Sequence, residues 1–164
     1  MNKPIDITEI VLTTDRLTLR PWRKTDLADF YEYARVDGVG QMAGWIPHQS
    51  VEESKMILAH FIDGKHVFAL EHQGKVIGSL GVEKYGLEDK LTEFNGYYGR
   101  EIGYVLSKDY WGKGIMPEAV GAIIDYLFND LNLDFLTCGY YDFNNQSKMA
   151  NKIHEIESRG RYTH

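Results

Sequence analysis

A glycine-rich turn carries the clearest chemical signal in this sequence. In the run Trp111-Gly112-Lys113-Gly114-Ile115-Met116, the two glycines let the backbone approach a ligand closely and adopt angles that other residues avoid. Pro117 and Glu118 suit the first turn of a helix, so the amides of the turn and the helix N-terminus together can form an anion site. Such a site holds a pyrophosphate with little basic charge nearby. A plain connection between a strand and a helix uses the same glycines, so both interpretations stay open at this point.

Two common nucleotide-binding motifs do not fit this turn. A Walker motif requires Ser or Thr after its Gly-Lys pair, and Lys113 is followed by Gly114. The dinucleotide-binding pattern requires a third glycine, and position 117 is proline. The turn therefore predicts neither kind of nucleotide site.

The composition of the chain restricts its class and its partners. The 164 residues are 43% hydrophobic and 26% charged, which indicates one globular domain over 1–164. The formal net charge of −6 disfavours nucleic acid and favours a cationic substrate such as an amine. No apolar run approaches the roughly 20 residues that a membrane span requires. A single cysteine, Cys138, and the lack of an apolar leader predict a cytoplasmic location with no membrane partner.

Helices and strands alternate along the chain, which indicates an α/β or α+β architecture. Ser50 and Glu53 form a capping-box pattern at the start of a helix, and alternation at Ile102, Tyr104 and Leu106 predicts the strand before the glycine-rich turn. The other predicted elements are a first strand ending at Pro21, a helix capped by Thr25, a loop over 37–48, a hairpin at Gln73-Gly74, a helix from about Pro117, a strand from Phe135 to Tyr141, and a last helix containing Met149, Ile153 and Ile156.

Several other reactive side chains do not form a pattern. Nothing around Cys138 activates a thiolate, so a buried strand cysteine is the better interpretation. His60, His66 and His72 fall on different elements and do not have the spacing of metal ligands. We therefore expect no metal site.

The order of several short motifs resembles the GNAT acetyltransferases, in their RimJ/RimL-like branch. The central match is Glu101-Ile-Gly-Tyr104, then Tyr110-Trp-Gly-Lys-Gly114, then Glu118-Ala119. The resemblance spans roughly positions 12 to 150. Two outer segments resemble strands of the family: Thr14–Pro21 is similar to the opening strand and Lys75–Ser79 to the third strand. Gly44–His48 is similar to the loop beside the acceptor pocket, and Asn144–Ser147 is similar to the element after the fifth strand.

The resemblance implies the fold class α+β (α/β three-layer). In that fold a mixed, mostly antiparallel central sheet has helices on both faces and a splay between the fourth and fifth strands. It also implies acetyl-CoA as the acetyl-donor substrate and a primary amine as acceptor, either a small molecule or a protein N-terminus. The residues that would contact the CoA portion are Tyr104, Val105, Leu106, Trp111, Gly112, Lys113, Gly114, Ile115, Met116 and Asn144.

Catalytic roles follow from the same resemblance. Glu101 is the candidate base that takes the proton of the amine, although a salt-bridged strand carboxylate is an equal alternative. The backbone N–H of Val105 is the expected oxyanion donor. Ser147 is the candidate hydrogen-bond donor to the leaving thiolate, or a helix cap, or both. Trp45 and His48 are the candidate substrate-binding residues of the acceptor pocket.

The sequence after Ser147 departs from the family pattern, because the closing Glu-Lys-x-Gly-Phe and the alternating strands do not follow. We therefore expect the last closing strands to be missing and the fifth strand to expose an edge, which favours a homodimer. A catalytically impaired CoA-binding or interaction module is the alternative function. Glu101 and Ser147 favour the transferase, whereas the missing strands favour the module.

Overall fold

The computed structural model of the protein describes residues 1–86, 96–142 and 151–158. Within them lie strands β1 (Leu12–Thr13), β2 (Thr18–Pro21), β3 (Val67–His72), β4 (Lys75–Glu83), β5 (Gly99–Leu106), β6 (Phe135–Asp142) and β7 (Asn151–Ser158). The helices are α1 (Leu27–Ala34), α2 (Val51–Gly64) and α3 (Ile115–Asp125), which continues into a π-helical turn over Tyr126–Asp130. Short 3-10 turns lie at Lys24–Asp26, Gly40–Ala43 and Lys108–Tyr110.

The strands form one seven-stranded sheet in which each strand lies beside its neighbour in sequence. All neighbouring pairs are antiparallel except β5 and β6, which run parallel because α3 carries the chain back along the sheet. The predicted hairpin turn at Gln73-Gly74 joins β3 to β4, and both residues have positive φ, 49° and 79°. The predicted mixed, mostly antiparallel sheet is confirmed.

Separate hydrophobic cores cover the two faces of this sheet. In β3, Val67 and Ala69 pack in the core that contains α1 and α2, whereas Phe68 and Leu70 pack in the core that contains α3. This division follows from the period of two along a strand. Helices therefore lie on both faces, as predicted. None of the helices formed by the described residues is long and apolar enough to cross a membrane.

The pairing between β5 and β6 is short, and this opens a gap in the sheet. Residues 99–102 of β5 are in register with 135–138 of β6. Beyond Ile102 and Cys138 both strands continue for four more residues with no further register between them. β5 stays paired with β4 as far as Leu106. The gap is the predicted splay between fourth and fifth strands, which are β5 and β6 once the two-residue β1 is counted.

The C-terminal segment corrects the sequence prediction. Residues 151–158 form β7, which pairs antiparallel with β6 from Asp142 opposite Asn151 to Phe135 opposite Ser158. The predicted last helix is therefore wrong, and so is the expectation that no strand follows the fifth one. Because β7 covers β6, the free edge expected for that strand is not present, and the argument for a dimer built on it no longer holds.

Two helix starts show how local signals position the elements around the site. The Oγ of Ser50 caps α2 by accepting a hydrogen bond from the N–H of Glu53 at 3.2 Å, as predicted. Thr25 does not cap α1. It lies in the preceding 3-10 turn, where the carboxylate of Asp26 accepts a hydrogen bond from the N–H of Arg23 at 2.8 Å.

Candidate active site

The glycine-rich turn presents a series of backbone amides at the start of α3. Gly112 and Gly114 have φ of 74° and 73°, in the left-handed region that favours glycine. The N–H of Trp111 donates to the carbonyl of Lys108 at 3.2 Å. Among the described residues, no group accepts a hydrogen bond from the N–H groups of residues 112–116. These amides are therefore available to an anion at the helix N-terminus.

A cavity of about 200 Å³ lies against this turn. Seven of the ten residues predicted to contact CoA line it, and their role as CoA contacts stays a prediction. Val105 and Lys113 do not line it. The lining residues are Tyr104, Leu106, Tyr110, Trp111, Gly112, Gly114, Ile115, Met116 and Pro117.

Two lysines lie over aromatic rings that line this cavity. The Nε1 of Trp111 donates to the carbonyl of Leu106 at 2.9 Å, which fixes the ring against the end of β5. The Nζ of Lys108 lies 5.6 Å from the Trp111 ring centroid, and the Nζ of Lys113 lies 5.5 Å from that of Tyr110. These cations place local positive charge beside the turn in a chain whose net charge is −6.

The direction of the backbone in β5 decides which groups face the gap. The carbonyl oxygen of Val105 is directed at β4, because it would lie 2.4 Å from a Cβ added at Gly78. The N–H of Ser107 likewise donates to the carbonyl of Ile77 at 2.7 Å. Since both backbone groups of a strand residue point to the same edge, the even-numbered residues of β5 face the gap. The backbone N–H of Leu106 therefore faces the gap. The N–H of Val105 is directed at β4, so its expected role as oxyanion donor is wrong.

Glu101 is buried in β5, with 7% of its surface exposed. The Oγ1 of Thr137 in β6 donates to its carboxylate at 3.2 Å, and Glu83 of β4 lies opposite it in the register. Glu101 therefore lies between three strands, at the closed end of the gap. Thr137 is a contact that the sequence did not predict, because the two residues are 36 positions apart.

The candidate base and the glycine-rich turn lie on opposite faces of the sheet. Glu101 and Val105 are four positions apart in one strand, so their side chains project from the same face, and Val105 packs in the core of α1 and α2. Tyr104 and Leu106 project from the other face, where the cavity and α3 lie. A substrate that contacts both the turn and Glu101 must therefore pass through the gap between β5 and β6.

The predicted acceptor loop folds over the face that carries α1 and α2. His48 is 7% exposed, and its Nδ1 lies 2.6 Å from the Oγ of Ser54. Burial lowers the pKa of His48, so the ring is neutral near pH 7. The ring of Trp45 packs on His48 with centroids 4.9 Å apart, and the adjacent turn Gly40–Ala43 lies against β5 and β6. The loop is therefore close to the gap. The side chain of His48 itself is buried and packs within the loop and against α2.

Two predicted residues cannot be located. Asn144 and Ser147 lie outside the described residues, so their roles beside the pantetheine and the sulfur stay predictions. Among the residues that the structure does describe, no group of three or more His, Cys, Asp or Glu side chains could hold a metal ion.

Nothing in the sequence singles out Arg16, which nevertheless lies directly against the turn. Its Nη1 donates to the carbonyl of Lys113 at 2.8 Å, and its Nε donates to Glu118 in α3 at 2.9 Å. Arg16 and Glu118 are 102 positions apart. The sequence places Arg16 just before β2, in the segment that resembles the family's opening strand, and this does not reveal a contact over that separation.

Comparisons with known proteins agree with this geometry. The model of the acetyltransferase (GNAT) domain family matches residues 16–153. The uncharacterized N-acetyltransferase p20 of Bacillus licheniformis is 30% identical over 130 residues, which cover 75% of this chain and 68% of that protein.

Two solved structures share the fold. A GNAT-family acetyltransferase from Bacillus anthracis superposes with a TM-score of 0.69 at 21% identity, over 82% of this chain and 76% of that one. An acetyl transferase from Salmonella typhimurium, described as modifying the N-terminal serine of 50S ribosomal subunit protein L7/L12, superposes with a TM-score of 0.62 at 16% identity, over 84% and 78%. The family match extends over the strands that bound the gap, the turn and the predicted acceptor loop, and the chain therefore belongs to the GNAT acetyltransferase family as an N-acetyltransferase.

Proposed function

We propose that this acetyltransferase takes its acetyl group from acetyl-CoA and transfers it directly to a primary amine in a ternary complex. The observation that carries the proposal is the row of amides at residues 112–116, which has no acceptor among the described residues and faces a cavity of about 200 Å³. Backbone amides at a helix N-terminus suit a diphosphate.

The path of the donor follows from the two faces of the sheet. With its diphosphate on the turn, the pantetheine arm of acetyl-CoA would enter the gap between β5 and β6 and pair with gap-facing backbone groups such as the N–H of Leu106. The thioester would then reach the face on which Glu101 lies. This arrangement supports direct transfer, because donor and acceptor would approach Glu101 from different sides.

The chemistry requires two proton transfers from the amine nitrogen and one exchange of bonds. An amine with a pKa of about 10.4 is mostly protonated at neutral pH, so Glu101, directly or through water, would accept a proton before attack. The amine nitrogen then bonds to the thioester carbon and the C–S bond breaks. The second proton of the nitrogen passes to the departing thiolate, so that CoA leaves as the free thiol. A gap-facing N–H of β5 would stabilise the tetrahedral oxyanion. Ser147 remains the predicted donor to the thiolate.

The acceptor class rests on charge and on the relatives. A net charge of −6 favours a cationic amine as the second substrate. The Salmonella typhimurium relative is described as modifying an N-terminal serine. We therefore propose a primary amine, with a protein or peptide N-terminus to be tested first and polyamines and aminoglycosides next.

The alternative of a catalytically impaired binding module loses its support. It depended on the absence of a strand after β6, and β7 occupies that position. A buried carboxylate at the closed end of the gap also favours a catalyst over a binding module.

The experiment is a titration of the protein with acetyl-CoA, followed by release of free thiol in the presence of a panel of amines. We expect binding of acetyl-CoA and amine-dependent thiol release for at least one member of the panel. Binding without thiol release for any amine would favour the module. Failure to bind either CoA or acetyl-CoA would refute both functions.

A further inference from the structure

A network of hydrogen bonds joins the segment before β2 to the glycine-rich turn. We call it the Arg16 brace, and it consists of Thr14, Arg16, Glu118 and the carbonyl of Lys113. The N–H and the Nε of Arg16 donate to the two carboxylate oxygens of Glu118 at 3.1 and 2.9 Å. Its Nη1 donates to the carbonyl of Lys113 at 2.8 Å. One side chain thus contacts both the turn and the first turn of α3.

Thr14 holds the brace in place from the other side. Its Oγ1 donates to Glu118 and accepts a hydrogen bond from the N–H of Leu17 at 3.0 Å, while its own N–H donates to the carbonyl of Leu17 at 2.9 Å. The hydrogen bond from Thr14, followed by those from Arg16, lowers the pKa of Glu118. Glu118 is therefore ionised at neutral pH and keeps Arg16 oriented.

The brace determines the direction of one anion-binding amide. Peptide bonds are planar and trans, so the C=O of Lys113 and the N–H of Gly114 point in opposite directions. Arg16 holds this carbonyl on its own side of the turn. The N–H of Gly114 is therefore directed away from Arg16, and Gly114 lines the cavity against the turn.

We propose that Arg16 is a positioning residue for the diphosphate of acetyl-CoA, acting through the peptide plane between Lys113 and Gly114. The inference rests on the proposed function, because it assumes that the turn binds this donor. The Nη2 of Arg16 lies 3.6 Å from the position of a Cβ at Gly114, so the guanidinium also keeps positive charge behind the turn. A role limited to attaching α3 to the N-terminal segment is the competing explanation.

The diagnostic measurement compares two acetyl donors. S-Acetylpantetheine carries the thioester but no diphosphate, so a residue that acts through the diphosphate should not affect its use. For Arg16→Met we expect KM for acetyl-CoA to rise about tenfold to a hundredfold, as for loss of a charge-assisted hydrogen bond, with kcat little changed. We expect kcat/KM for S-acetylpantetheine to stay at the wild-type value. With 3′-dephospho-CoA as ligand, the loss should match that for CoA.

Further variants separate positioning from folding. Thr14→Val and Glu118→Gln remove other members of the brace and should weaken CoA binding in calorimetry in the same direction. Arg16→Lys keeps the charge without the forked geometry and should recover only part of the affinity. The exposed Arg35→Met is the matched control and should bind CoA like the wild type. Thermal unfolding of each variant checks that it is folded.

Several outcomes would overturn the inference. If Arg16→Met binds CoA like the wild type, the inference fails while the proposed function stands. Equal losses with acetyl-CoA and S-acetylpantetheine would support the purely structural explanation. If the wild type binds no CoA, both the proposed function and the inference fail. Wild-type binding without turnover would contradict the proposed function alone, because the calorimetric comparison of CoA binding still tests Arg16.

Discussion

A buried carboxylate beside a gap in a sheet is the residue on which the proposed chemistry depends most. Glu101 is 7% exposed, and Thr137 donates a hydrogen bond to it across the last part of the β5–β6 pairing. This contact fixes the carboxylate at the point where the two strands begin to separate. A base at that point is close to a thioester that enters through the gap.

Replacement of Glu101 by Gln keeps the shape of the side chain and removes its ability to take a proton. We expect kcat to fall by about 10²- to 10⁴-fold, the usual contribution of general base catalysis, while the dissociation constant of acetyl-CoA stays unchanged. Steady-state kinetics and calorimetry measure the two quantities. The exposed Glu52→Gln is the control. A Glu101→Gln variant with wild-type kcat would leave Glu101 as a structural carboxylate.

His66 gives the protein a pH-dependent stability. Its Nε2 lies 2.8 Å from the carboxylate of Glu83, and this hydrogen bond raises the pKa of His66. The stabilisation is fully present below the unfolded pKa of about 6.5 and is lost as pH rises through the higher folded value. We expect this decrease in the free energy of unfolding in urea titrations of the wild type. His66→Gln should lack it, and the exposed His60→Gln should retain it.

The sequence predicts those features of the site that depend on residues close together in the chain. Gly112 and Gly114 predicted a turn with unusual backbone angles, and their positive φ values confirm it, because glycine adopts such angles readily. Anion binding at this turn stays a prediction. The contacts of Arg16 with Glu118 and of Thr137 with Glu101 could not be predicted, because the topology of the sheet brings together residues that are far apart in the chain. The direction of the Val105 backbone depended on the pairing of β5 with β4, which sequence alternation does not reveal.

At the level of elements, the start of α3 combines a turn of left-handed glycines with a helix that contains a central glycine. Gly112 has φ of 74°, whereas Gly121 lies within the helix, and a Cβ added at either position meets nothing within 4 Å. The two positions therefore differ in backbone conformation and not in available space. Substitution by alanine tests the conformation alone.

We expect Gly112→Ala to lose about 1–2 kcal/mol of stability through left-handed strain, and to bind CoA more weakly because the turn shifts. Gly121→Ala should gain about 0.5–1 kcal/mol, since glycine is unfavourable within a helix, and should bind CoA normally. Chemical denaturation and calorimetry measure these effects. If both variants behave alike, the turn does not require its left-handed glycine.

The strand β7 shows why one element was predicted incorrectly. Ile153 and Ile156 are three positions apart, which places them on one face of a helix but on opposite faces of a strand. The segment nevertheless pairs with β6 over eight positions. Hydrogen bonding to β6 determines the conformation of this segment more strongly than the helical spacing of its apolar residues. The sequence alone does not show that the edge of β6 is available for pairing.

At the scale of the molecule, a buried ion pair joins the first strands to the first helix. Arg20 donates to Asp26 twice at 2.9 Å, and their side chains are 5% and 7% exposed. The second carboxylate on Arg20, that of Glu71, is 25% exposed and lies at 3.1 Å in β3. The three residues connect β2, β3 and the start of α1.

Asp26→Ala leaves the guanidinium of Arg20 buried with one carboxylate fewer. We expect a loss of roughly 3–5 kcal/mol in the free energy of unfolding, as for other broken buried pairs. The exposed pair of Lys75 and Glu32 offers the comparison, with side chains 45% and 54% exposed. Glu32→Ala should cost much less than Asp26→Ala, because water screens an exposed pair. Urea denaturation measures both values, and equal losses would contradict the assigned importance of burial.

The unfinished pairing between β5 and β6 has a thermodynamic consequence for the whole molecule. An extended molecule whose own amides run along β5 would act as a temporary eighth strand, and its departure would leave the two halves of the sheet joined by the four register pairs alone. Saturation at a hundred times the dissociation constant would add about 2.7 kcal/mol to the resistance against unfolding. The melting temperature should therefore climb with acetyl-CoA concentration, so that the persistence of the protein in a cell would follow the supply of its own donor.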